Sequence, residues 1–385
     1  MPFAQAELLA RARWAARVQF GVLGVLMGAW GAHIPSVKSY HALSDGTLAA
    51  VLLAAALGAV SSLFLAGRVV GRLGPRRTLV LAAMVAGVLF GSLLELPGLA
   101  ALLPAVLVLG ACMSLFDVAI NTEGSMLERL GGRPVMSQLH GMFSVGGMAG
   151  AGVVSALLTA GASPRAQLWG LGLGVALVAL LAARGMRPLE DHEDPASGHA
   201  HFAWPRGPLL VIGLLILAGM TAEGVMYDWC VLYLQQELGQ PQAQAALGYA
   251  AFSGAMAVSR FGGDALRARF AETVLLGWGA GLAATAMAVV LLSGHPVVAL
   301  VGFALAGAGL APVAPILFSA ATRVPGVSPA AAIASVTSVG YSGFMLGPPL
   351  IGAIATASSL TWALAVVVLA AALLALGARR VPVRP

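Results

Sequence analysis

A few polar side chains stand out because they interrupt long apolar runs. In Leu115-Phe116-Asp117-Val118-Ala119-Ile120-Asn121, Asp117 is the one charge between Ala101 and Ile120. Asn121 follows four residues later, so on a helix the two share a face. A carboxylate turned to lipid costs a few kcal/mol or more, so Asp117 is expected to face other helices or a wet cavity. A carboxylate short of water takes up a proton more readily than a hydrated one, and that suits a proton carrier. His140 belongs to the same neighbourhood. A tight turn at Gly131-Gly132 stands ten residues after Asn121 and eight before His140. At about 1.5 Å per residue His140 and Asn121 reach similar depth, with Asp117 about one turn deeper. A second acidic cluster is Glu223, Tyr227 and Asp228. Glu223 and Tyr227 share a helix face, whereas Asp228 is rotated from Glu223 by about 140°. Asp117, His140 and Glu223 are the expected proton-coupling residues. Asn121, Tyr227 and Asp228 are expected to meet a small polar solute, with Asp228 near an outer gate.

These residues have to be positioned by membrane-spanning helices. Of 385 residues, 59% are hydrophobic and 9% charged, too little polar surface to cover a globule in water. Twelve apolar stretches have the length of a bilayer-spanning helix: 15–36, 47–68, 77–96, 100–122, 136–160, 165–186, 208–233, 243–262, 272–293, 296–319, 330–355 and 357–378. Continuous apolar runs, without strand alternation, predict helices. The expected fold is an all-α membrane protein with two pseudo-symmetric six-helix bundles, residues 1–187 and 208–385, joined by a cytoplasmic linker at 188–207. Nineteen of the 21 basic residues, Arg260 among them, fall on the termini and even-numbered loops, and Lys38 and Arg165 are the exceptions. That asymmetry predicts cytoplasmic termini. The basic N-terminal segment is read as the start of an uncleaved first helix.

Composition also excludes classes. The basic residues form no stripe of the kind that binds nucleic acid. Cys112 and Cys230 stand alone, without metal or disulfide spacing. The linker holds Asp191, His192, Glu193, Asp194, His199 and His201, but a solvated linker imposes no ligand geometry. No HExxH, GxSxG or paired-acid motif sets up an enzyme. No cofactor or metal is expected. The expected partners are the lipid bilayer, protons and a small polar solute, with the chain as a monomer.

The halves echo each other. Ser144-Val145-Gly146 recurs as Ser338-Val339-Gly340, an offset of 194, and the segment Gly67–Arg77 has a counterpart in Arg260–Arg269, where Gly71 matches Asp264 at an offset of 193. Such pairing argues for internal duplication, as in transporters that bind solute between two repeats. By the same offset Glu223 corresponds to Trp30, an aromatic platform suited to the C–H face of a polyol. Asp117 corresponds to the apolar Leu310. Ser144, and Tyr341 beside the second Ser-Val-Gly, complete the expected solute contacts. Glycines at 21, 24, 28 and 31, and at 340, 343 and 347, let helices approach closely. Pro312 and Pro315 are expected to bend the tenth span, and Pro348-Pro349 to bend or break the eleventh.

The segment Gly-Arg-Val-Val-Gly-Arg-Leu-Gly-Pro-Arg-Arg at 67–77 resembles the loop 2–3 signature of the major facilitator superfamily. Gly67, Arg72, Gly74, Arg76 and Arg77 match it, while Gly71 stands at the acid's position and Pro75 shifts the arginines. The acid is present in the second half as Asp264. The resemblance implies a gating role for these five matched residues and Asp264, with Arg72 holding the cytoplasmic side shut. The stretches Asp117–Gly150 and Glu223–Leu234 resemble the branch that holds the fucose permeases and the rhizopine-associated membrane proteins. There an acid on the fourth helix, followed by Asn four residues later, carries the proton, and Asp117 and Asn121 match it. His140 stands where that branch places a sugar contact. His33 is the nearest polar residue to that branch's first-helix acid. The resemblance implies a proton-coupled symporter of a sugar, cyclitol or derivative in the inner membrane. The alternative is a proton-driven exporter of drugs or metabolites. Symport is favoured because no basic residue lies between Ala100 and Asn121.

Overall fold

The computed structural model describes residues 2–132, 135–186 and 205–381, apart from the side chains of residues 2–6, 264 and 330. Most of the 188–207 linker therefore lies outside the described residues. Among the described residues there is no strand. The helices are α1 (Pro2–Tyr40), α2 (Asp45–Ser92), α3 (Leu99–Gly131), α4 (Met136–Thr159), α5 (Pro164–Ala182), α6 (Pro208–Gln236), α7 (Gln242–Arg267), α8 (Glu272–Ser293), α9 (Pro296–Leu310), α10 (Val313–Ala321), α11 (Pro329–Ala357) and α12 (Leu360–Gly377). Helix α2 contains two spans, and α9 with α10 form one broken span, so the described residues supply the twelve expected crossings.

Local chemistry explains the boundaries. Residues 67–77 form no open loop. The helix runs through them and breaks at Gly74, whose φ of 76° is a conformation natural to glycine. Pro75 then opens the next segment, where a missing N–H costs nothing, and Thr78 Oγ1 donates to Gly74 O at 2.8 Å. Ser163 and Ser328 cap α5 and α11, accepting from Ala166 N and Ala331 N, each with proline at the first helical position. Glu128 caps α4 from the preceding helix. Its Oε1 accepts from Val135 N at 2.7 Å and Met136 N at 3.0 Å. The tenth span breaks at Ala311-Pro312, as its prolines predict. By contrast α11 continues past Pro348-Pro349. Two missing N–H donors free two carbonyls there without ending the helix.

The chain falls into two compact units. Unit 1 comprises Met1–Ala196 with Gln242–Ala250, and unit 2 comprises Ser197–Pro241 with Ala251–Pro385. In unit 1, α1 packs on α4 backbone to backbone. A Cβ on Gly24 would lie 2.0 Å from Phe143 O, and one on Gly28 2.1 Å from Gly147 O. The glycine stripe expected on α1 thus has a matching stripe on α4. In unit 2, α11 packs on α6, and a Cβ on Gly340 would meet the Ile216 and Met220 side chains. Both contacts are the close small-residue packing that holds helices together in lipid.

Candidate functional site

In unit 1 the opening motif forms a local pair. Asp117 and Asn121 both lie on α3, and Asn121 Nδ2 donates to Asp117 Oδ1 at 3.0 Å and to Asp117 O at 2.9 Å. Among the described residues no cation and no side chain of another helix hydrogen-bonds the Asp117 carboxylate. His140 and Ser144 share a face of α4. Ser144 is fully buried and donates to His140 O at 3.3 Å. The His140 ring meets Phe20 of α1 edge-on, with centroids 5.3 Å apart. Asp117 and His140 are thus in one unit but not joined by a hydrogen bond. Trp30 is buried within α1.

In unit 2 the acid is held quite differently. Glu223 Oε1 receives Arg260 Nη2 of α7 at 3.3 Å, with side chains 19% and 13% exposed. Tyr227, one turn along α6, has the Glu223 carboxylate and the Ser253 hydroxyl as polar neighbours. Its hydroxyl reaches Met256 Sδ at 3.4 Å, and its ring stands edge-on to Phe252 at 5.2 Å. Ser253, Met256 and Arg260 recur at the spacing of one face of α7, which meets the Glu223–Tyr227 face of α6. Asp228 is partly exposed and makes no hydrogen bond or ion pair among the described residues. Tyr341 is half-buried on α11, its ring 6.4 Å from that of Phe344.

The residues expected to gate in the first half lie around the α2 break. Gly67, Arg72, Arg76 and Arg77 are exposed, Gly74 is buried, and the three arginines make no hydrogen bond or ion pair among the described residues. The side chain of Asp264 lies outside the described residues. In unit 2 the corresponding end is bracketed: Glu272, first residue of α8, receives Arg267 of α7 and Arg323 beyond α10.

Several polar residues went unread in the sequence. Arg260 was counted among the inside anchors, yet it is an ion-pair partner within a helix. Glu123 is 98% buried on α3, two residues beyond Asn121, and the polar run Asn121-Thr122-Glu123-Gly124-Ser125 around it gave no signal of that burial. Gln242 Nε2 donates to Ser36 Oγ at 2.7 Å and Ala32 O at 2.9 Å, and Ser36 Oγ lies 3.1 Å from His33 Nδ1. No sequence pattern signals that contact. No metal-sized group of His, Cys, Asp or Glu occurs among the described residues.

The sequence profile of the Major Facilitator Superfamily matches residues 18–342. The chain belongs to this superfamily. An uncharacterized MFS-type transporter of Yersinia pestis is 35% identical over 365 residues, covering 95% of this chain and 94% of that protein. Membrane protein MosC of Rhizobium meliloti is 32% identical over 353 residues, covering 90% of this chain and 84% of MosC. The major facilitator transporter FucP, solved in its outward conformation, superposes with a TM-score of 0.67 at 16% identity, covering 95% of this chain and 97% of FucP. The MosC likeness places this chain in the branch expected from Asp117–Gly150, and the FucP likeness supports the fold. The chain is a multi-pass membrane transporter and not an enzyme.

Proposed function

We propose that this major facilitator protein is a proton-coupled symporter of a small polar solute, a sugar, cyclitol or derivative. The observation that carries the reading is the setting of Asp117. Its carboxylate lies in an apolar span and, among the described residues, has an amide of its own helix as its one hydrogen-bond partner. Taking up a proton there breaks no ion pair and removes a charge from a membrane span. Releasing it restores a carboxylate that Asn121 can stabilise. Asp117 therefore suits cyclic protonation, while Glu223, tied to Arg260, suits solute binding. Its earlier assignment to coupling becomes secondary in this reading. Asn121, Ser144, Trp30, Tyr227, Asp228 and Tyr341 are the proposed solute contacts, and His140 the proposed relay. The residues around Gly74 would gate the cytoplasmic side, with both termini cytoplasmic in the inner membrane.

Uptake into proteoliposomes with internal pH recorded tests this. With the lumen alkaline, a transported sugar or cyclitol accumulates and the lumen acidifies with it. Accumulation that follows a sodium gradient and ignores the pH gradient rejects the proton reading. Movement of drugs outward against an inward proton gradient would support the exporter instead.

A further inference from the structure

We infer that Arg260 is a charge-selectivity residue of the unit 2 site: paired with Glu223, it admits uncharged solutes and excludes charged ones. The inference rests on the proposed role of Glu223 and Tyr227 as solute contacts. Arg260 lies 18 residues into α7 and seven before its end, so about 10 Å of helix separates it from the inner terminus. A cation that only anchored the helix at the membrane surface would turn to water. Instead the guanidinium reaches Glu223, and its side chain is 13% exposed. Helices α9, α10, α11 and α12 contain no Asp, Glu, Lys or Arg. Within the unit, then, the other charges on spans α6 and α7 are Asp228, which makes no ion pair among the described residues, and Asp264 and Arg267 towards the inner end of α7.

The pair makes the cluster neutral overall while offering both kinds of hydrogen-bonding group. Arg260 donates, Glu223 accepts, and the Tyr227 and Ser253 hydroxyls do either. A solute hydroxyl can join this cluster and leave the ion pair standing. A solute carboxylate must share Arg260 with Glu223 and place two anions together. A solute ammonium faces Arg260 in the same way. Either leaves a net charge in a low-dielectric site, which is discrimination by unfavourable contact. Removing one member of the pair reverses the preference, because the survivor then lacks its countercharge.

The test uses uptake of three matched probes, D-glucose, D-glucuronate and D-glucosamine, by the full-length protein in proteoliposomes. Wild type should favour glucose over either charged probe by about tenfold or more. Glu223→Gln should shift the preference to glucuronate, and Arg260→Gln to glucosamine. Arg260→Lys, which keeps the pair, should retain the wild-type order and guards against misfolding as the cause. Glu223→Gln with Arg260→Gln together should return the preference to glucose. An unchanged probe order in both single variants overturns the inference, as does entry of none of the probes into any vesicle. Internal pH recorded in the same vesicles separates the two readings. Loss of proton movement with the selectivity shifts intact would reject proton coupling and leave this inference standing.

Discussion

Units 1 and 2 place an acid in a membrane span by opposite means. In unit 1 Asp117 is served by Asn121 from its own helix, a neutral amide one turn away. In unit 2 Glu223 is served by Arg260 from another helix, a full countercharge. The first arrangement tolerates a change of charge, because nothing oppositely charged is stranded when the proton arrives. The second resists it, because neutralising Glu223 takes away a countercharge that a partly buried guanidinium faces. The inner ends differ in a parallel way. Arg72, Arg76 and Arg77 of unit 1 are exposed, whereas Arg267 and Arg323 of unit 2 converge on Glu272. At these two places, the acid within a span and the inner end, unit 1 leaves its charges without a countercharge among the described residues and unit 2 pairs them. The former fits coupling and gating, and the latter fits holding a solute.

The largest stability contrast should come from the helix contacts. Gly24→Ala sets a Cβ against the Phe143 carbonyl, which cannot rotate away, and should cost about 3 kcal/mol or more. Gly340→Ala meets side chains rather than backbone, the flexible Met220 and the stiffer Ile216, and should cost about 1–2 kcal/mol. Thermal unfolding in detergent measures both, and equal losses would show that the two contacts are equally rigid. Gly74→Ala forces a side chain into a region suited to glycine and should cost about 1–3 kcal/mol. The inner ends give the next contrast. Glu272→Ala strands two arginines and should lower stability by about 1–2 kcal/mol. Arg72→Ala should change stability by less than about 0.5 kcal/mol, so any loss of transport there reports on gating. A melting shift for Arg72→Ala as large as that for Glu272→Ala would erase the distinction between the units.

Much of the architecture was legible because lipid imposes it. Twelve apolar stretches, the glycine stripes and the Asp117–Asn121 spacing are local patterns, and each appears in the structure. The signature at 67–77 was legible as a boundary, but its form was not. Gly74 and Pro75 together suffice to end one helix and begin the next, so no open loop is needed. Pairings between helices were not legible. Glu223 and Arg260 are 37 residues apart, and whether they meet depends on the rotation of α6 and α7. Counting Arg260 as an anchor assigned it by its distance from the helix end, which says nothing about where its side chain turns. The Glu128 cap on α4 and the Gln242–Ser36 contact share that limitation, since each is fixed by packing that no periodicity encodes.

The central claim is that Asp117 carries the proton, and the Asp117→Asn variant tests it most directly. Asn keeps the shape and the hydrogen bond to Asn121 but cannot cycle between charged and neutral. In proteoliposomes loaded with a transported solute, the variant should still exchange internal for external solute at balanced concentration. It should neither concentrate solute along a pH gradient nor acidify the lumen during uptake. Full proton-coupled accumulation by Asp117→Asn would contradict the account and place the coupling site elsewhere.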